Sequence, residues 1–159
     1  MNKEQTLFFT GHRDVYRAEG SEAFGILCAT LLPFIEKGYK FFISGGALGF
    51  DTMAAEAVIR LRSEFPEIKL ILMLPCKSQS ASWSAWQIKK HKEILRAADE
   101  IIYTSEEYSR ECMFVRDRAM ADASSICIAY CSKTRGGTAY TVSYALKNGI
   151  AVTNLANVF

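Results

Sequence analysis

The segment Ile68-Lys69-Leu70-Ile71-Leu72-Met73-Leu74 constrains this chain more than any other. Its apolar residues run almost without interruption up to Pro75. A strand wetted on one face alternates apolar with polar residues, whereas a strand covered on both faces reads as a continuous apolar run. The segment therefore predicts a parallel sheet with helices on both sides. Shorter runs of the same kind predict further strands at Leu7 to Thr10, Tyr39 to Ser44, Glu100 to Tyr103, Ser125 to Tyr130 and Ile150 to Asn154.

Amphipathic stretches fill the intervals. They predict helices at about Ser21 to Lys37, Asp51 to Glu64, the end of the Ser-rich loop to Ala98, Arg110 to Ala123, and Gly137 to Lys147. The pattern is strand then helix, five times, with a sixth strand to finish. Right-handed crossovers leave few topologies for such a chain. A doubly wound α/β domain spanning residues 1–159 is expected, with strand order 3-2-1-4-5-6.

Composition narrows the partners. Lys and Arg total 19 against 17 Asp and Glu, a net charge of +2. Phosphate-backbone binding draws on clustered positive charge, so nucleic acid is expected to be an unlikely partner. No apolar run reaches the roughly 18 residues of a membrane span, and the N-terminal residues lack a signal-peptide pattern. A cytoplasmic protein is expected. The five cysteines contain no CxxC pair, which suits reduced thiols. Neither a metal site nor a cofactor is expected.

In an open α/β sheet, ligands bind beyond the carboxyl ends of the strands. Six of the ten glycines lie in segments that leave strands there: Gly11, the group Gly45, Gly46 and Gly49, and the pair Gly136-Gly137. Glycine lets backbone N–H groups approach an anion closely, and a helix N-terminus adds unpaired donors. Neither Gly-rich turn is a GxxxxGK[ST] loop or a GxGxxG fingerprint. Beside them stand His12, Arg13, Asp51, Arg116 and Thr138 as candidate ligand contacts. Arg13 and Arg116 are suited to phosphate. Arg116 precedes Met120 by four residues, which puts it on the core-adjacent side of its helix. Asp51 is placed either to cap its helix or to accept from ribose hydroxyls. Trp83 and Trp86 serve either as packing residues or as a platform for a base.

Taken in order, Thr10-Gly11-His12-Arg13, Ser44-Gly45-Gly46-Ala47-Leu48-Gly49-Phe50-Asp51, Leu74-Pro75-Cys76 with Trp83, Met113 to Met120 and Gly136-Gly137-Thr138-Ala139-Tyr140-Thr141-Val142 resemble the small single-domain SLOG proteins of bacteria and phages. The resemblance covers about Leu7 to Leu155. It implies a Rossmann-like open sheet, a site for a nucleotide or nucleotide-derived ligand, and self-association into a homo-oligomer.

The superfamily includes the LOG phosphoribohydrolases and the DNA-processing protein Smf. Beside the LOG pattern M-x-x-R-K-x-x-M, Met113, Arg116 and Met120 match, with Asp117 in place of Lys. Beside P-G-G-x-G-T-x-x-E, Gly137-Thr138 match, while Thr141 occupies the position of the catalytic Glu. A hydroxyl cannot supply the carboxylate that N-glycoside cleavage uses. The expected function is nucleotide-ligand binding as a sensor or regulatory module. The alternative is an N-glycosidase or deoxyribosyltransferase-like enzyme, in which Asp51 or Glu111 would stand in for the missing acid. A third reading, by analogy with Smf, is single-strand DNA binding.

Overall fold

The computed structural model describes residues 1–159, and a six-stranded parallel sheet organises them. The strands are β1 (Thr6–Gly11), β2 (Phe41–Ser44), β3 (Lys69–Leu74), β4 (Glu100–Tyr103), β5 (Ile126–Tyr130) and β6 (Ala151–Asn154). The helices are α1 (Glu22–Glu36), α2 (Phe50–Arg62), α3 (Ala85–Ala97), α4 (Cys112–Asp122) and α5 (Gly137–Lys147). Helix starts obey local rules. Ser21 Oγ accepts from the Phe24 N–H at 3.2 Å. Ser84 and Gln87 form a reciprocal capping box at α3, which satisfies two otherwise orphaned donors.

The continuous apolar runs are explained by two cores. Leu7, Phe9, Phe42, Leu70, Leu72, Leu74 and Ile128 point into the larger one, with α1 and α2. Phe8, Ile43, Ile71, Met73, Cys127 and Ala129 point into the smaller, with Met120 and Ala121 of α4 and Ala145 of α5. Alternate residues of one strand thus serve opposite faces, and both faces are dry.

The strand order is β4-β3-β2-β1-β5-β6. The class of fold is as expected; the order is not. β4 lies outside β3, not beside β1, with Ile71 opposite Glu100 and Leu74 opposite Tyr103. Asp99 holds the start of this pairing. Its carboxylate accepts from the Leu70 N–H at 2.8 Å and from Arg62 at 2.6 Å, and its own N–H donates to the Leu70 carbonyl. The chain reverses direction across the sheet only after β4, so α4 must carry it back to β5, which pairs with β1.

Where β1 ends, packing leaves no room for a side chain. A Cβ at Gly11 would lie 2.4 Å from the Phe50 Cβ, and Phe50 itself is fully buried at the start of α2. Gly11→Ala is expected to lower stability by about 1–3 kcal/mol, the usual cost of overpacking. Urea denaturation will read this as a lower midpoint at an unchanged slope; an unshifted midpoint would contradict the packing described.

Candidate functional site

Three turns meet at the carboxyl edge of the sheet. At the β1 turn, the His12 Nε2 accepts the Ser132 N–H at 2.9 Å, which ties β1 to the turn after β5. That acceptor role requires a neutral ring with its proton on Nδ1. Burial, helped by Lys133, lowers the His12 pKa and favours that form. The ring is thereby engaged in joining two loops. Arg13 is exposed, and no ion pair joins it to Asp14 or to any other carboxylate.

The β2 turn lies directly on the β1 turn. Gly49 has φ 78°, and a Cβ there would stand 2.4 Å from the Arg13 carbonyl oxygen. Positive φ and close approach both require glycine. Gly49 also occupies the cap position of α2, so Asp51 sits inside the first turn and not at the cap. Its side chain folds back, and Oδ2 accepts from the Ala47 N–H at 3.2 Å. Ser44 Oγ donates to the Asp51 carbonyl at 2.9 Å and accepts from the Gly46 N–H at 3.2 Å.

Gly45 is the meeting point. A Cβ on it would lie 2.6 Å from Arg116 Nη1 and 2.8 Å from Asp51 Oδ2. The Gly45 carbonyl accepts from Arg116 Nη1 and, at 3.3 Å, from Gln79 Nε2. Arg116, 5% exposed, reaches over from α4 and donates through Nε to Asp117 at 2.7 Å. Its Nη2 contacts only the Met113 sulfur, at 3.7 Å. Two buried oxygens here have no donor: Asp51 Oδ1 and Gln79 Oε1. Such orphans are uncommon, and each costs roughly 1–3 kcal/mol.

Burial pushes the Asp51 carboxyl up to about 7, against the pull of Arg116 and of the Ala47 N–H. The group can therefore offer a hydroxyl or accept as a carboxylate near neutrality.

The second Gly-rich turn, at α5, is different. Gly136 and Gly137 are exposed, and a Cβ on either would meet nothing within 4 Å. Thr138 is half-buried beside them. This turn lines open space, joined to α4 further along by Phe114 against Tyr140 at 4.8 Å and by Arg118 donating to Tyr140 at 2.9 Å. Thr141, fully buried, donates its hydroxyl to the Gly137 carbonyl at 2.8 Å.

Of the expected site residues, Gly11, His12, Arg13, Gly45, Gly46, Gly49, Asp51 and Arg116 form one connected system. Gly136, Gly137 and Thr138 stand apart from its hydrogen bonds. Sequence reasoning missed Gln79, one polar residue in a polar loop, which carries no pattern of its own.

A Rossmann-like sheet with a glycine turn, a buried arginine and a buried carboxylate at its carboxyl edge is the class of protein these features define. The chain belongs to the YspA SLOG family, whose sequence profile matches residues 24–152. It is 36% identical over 134 residues to the uncharacterized SPbeta prophage-derived protein YoqJ of Bacillus subtilis, covering 76% of this chain and 78% of that one. A UPF0398 protein of Bacillus cereus is 30% identical over 122 residues, covering 75% of this chain and 66% of its own.

Among solved structures, DNA processing protein A of Streptococcus pneumoniae superposes with a TM-score of 0.65 at 18% identity, over 96% of this chain and 50% of that one. DNA processing protein A of Helicobacter pylori superposes with a TM-score of 0.63 at 18% identity, over 94% of this chain and 64% of that one. This chain thus spans about half to two-thirds of those neighbours. The Helicobacter protein is described by its single-stranded DNA binding mode. That finding overturns the expectation that nucleic acid is an unlikely partner, which rested on net charge alone. Separately, no helix is long and apolar enough to cross a membrane.

The raised Asp51 pKa has a signed consequence. Between its ordinary value of 3.8 and about 7, the folded protein holds a proton that the unfolded chain releases. The stability tied to that proton is complete below the lower value and is lost as pH rises through the upper one. Between pH 5 and pH 7, Asp51→Asn is expected to gain on wild type by on the order of 1 kcal/mol per pH unit. Urea midpoints measured at several pH values check this; a constant difference would refute the shift.

Proposed function

We propose that this carboxyl edge binds a nucleotide or nucleotide-derived ligand and that the protein acts as a sensor or regulatory module. The observation that carries this reading is the pair of buried donorless oxygens, Asp51 Oδ1 and Gln79 Oε1, on the two side chains whose other polar atoms meet Gly45. Ribose hydroxyls and exocyclic amines are the donors a nucleotide offers to such acceptors. The exposed Arg13 guanidinium and the open N-terminus of α5 suit its phosphates. Arg116 Nη2 supplies further donors from below. Five free cysteines fit a cytoplasmic setting, where thiols stay reduced and nucleotides are abundant.

A second reading is favoured by the DNA-binding neighbour: the nucleotide unit belongs to a single strand. Local charge supports it better than net charge does. On α3, Lys89, Lys92 and Arg96 are exposed beside one acid, Glu93, while Lys90 is paired with Glu56.

Calorimetry with AMP, ADP-ribose, NAD and a cyclic dinucleotide tests the first reading. Saturable binding is expected, lost in Arg116→Ala and weakened roughly tenfold in Gln79→Ala, about the worth of one hydrogen bond to a buried group. Circular dichroism confirms that both variants fold. No binding by any of the four, or Arg116→Ala equal to wild type, would sink it. Affinity for an oligothymidylate that falls steeply with salt marks the second reading. Chromatography for released base in the same samples reports any N-glycosidase activity.

A further inference from the structure

The outer side of the β2 turn carries a feature that the Gly45 cluster does not use. Between the β1 turn, Leu48-Gly49 and the start of α3 lies a hollow of about 110 Å³. Arg13, Tyr16, Gly49, Thr52, Trp86 and Lys90 are among the residues around it. Trp86 is 59% exposed. Burying an aromatic side chain stabilises a protein by a few kcal/mol, so an indole left in water contributes little of this to folding.

This indole is nonetheless held. The capping box of Ser84 and Gln87 fixes the first turn of α3 and with it the direction in which Trp86 leaves the helix. Tyr16 meets the ring edge-on, 6.1 Å between centroids. Lys90 Nζ lies 5.5 Å from the ring centroid. Both neighbours are anchored by Glu56, which accepts from the Tyr16 hydroxyl at 2.7 Å and pairs with Lys90 at 3.2 Å. One buttressed, accessible aromatic surface results. Arg13 stands at the same hollow with no carboxylate partner.

A larger hollow of about 250 Å³ between α2 and α3 offers a contrast. Both of its cations are paired, Lys90 with Glu56 and Arg60 with Glu19. It presents no aromatic surface and no unpaired guanidinium.

We propose that the Trp86 hollow is a nucleobase subsite: the indole stacks on a planar base and Arg13 binds the phosphate next to it. The inference rests on the nucleotide reading above and extends it. The volume limits the occupant. Whole-ligand pockets run from roughly 300 Å³ upward, so this hollow takes one ring system and leaves the rest of the ligand outside. Gly49 lines the hollow and Gly45 contacts Asp51 and Arg116. Four residues span at most about 14 Å. A base beside Trp86 and a sugar at Asp51 are therefore compatible with one extended ligand, in which phosphate lies between. The same base-phosphate chemistry is found in a free dinucleotide and in a single strand.

The test uses Trp83→Phe, which leaves Trp86 as the sole tryptophan, and follows its emission. Titrants are NAD, ADP-ribose, an oligothymidylate, and ribose 5-phosphate as the base-free control. Quenching by the base-bearing ligands and none by ribose 5-phosphate is expected. In calorimetry on the otherwise native chain, Trp86→Ala should weaken binding by about 5- to 100-fold, the range for loss of one base-aromatic stack. Trp86→Phe should restore most of it.

Response to NAD and ADP-ribose alone assigns the free ligand; response to the oligonucleotide alone assigns the strand. Ligand binding that depends on Arg116 but leaves Trp86 emission and Trp86→Ala affinity unchanged overturns the subsite and spares the nucleotide reading. Quenching that persists in Arg116→Ala and Gln79→Ala at undiminished affinity does the reverse. Emission unmoved by every titrant, or shifting with protein concentration alone, overturns the subsite.

Discussion

The Arg116 guanidinium on the Gly45 carbonyl is the contact on which the site's architecture depends. It joins the helix that returns across the sheet to the turn that leaves β2. The crossing exists because β4 pairs outside β3, so topology delivers the arginine to this place. The contact is also demanding. A guanidinium this enclosed needs Asp117 and the Gly45 carbonyl, since an unpaired buried charge costs several kcal/mol. Any side chain at position 45 would occupy the space in which Arg116 and Asp51 approach the backbone.

The sequence is informative where a local period or a local steric rule decides the outcome. Apolar runs place all six strands, and in the four inner ones the run is continuous because burial on two sides leaves no room for alternation. The relation of Arg116 to Met120 puts the arginine against the core, and both are buried. Strand order escapes such reasoning because it lies in pairings between distant residues, such as the β3–β4 ladder and the Asp99 carboxylate on the Leu70 N–H. A trace of the true order was present in β4, only four residues long, beginning with a glutamate and exposed at both ends as edge strands are. Asp51 misled for a smaller reason: Gly49 takes the cap position through its positive φ, which puts the carboxylate in the first turn. Gln79 and the setting of Trp86 arise from convergence of separate loops, and no spacing along the chain encodes them.

Net charge alone does not decide whether a chain meets phosphates. A total of +2 averages over a surface on which α3 exposes Lys89, Lys92 and Arg96 beside Glu93. Electrostatic attraction depends on where charges lie relative to the approaching phosphates, within about a Debye length of 8–10 Å. A balanced chain can therefore carry a locally basic surface.

The donorless oxygens of Asp51 and Gln79 are sealed beneath the surface, whereas the α5 turn is open to water. On the proposed nucleotide reading, a ligand reaches those oxygens only after the loop bearing Gln79 moves; association would then level off at the opening frequency as ligand concentration grows, and the affinity would fall with the scarcity of the open form.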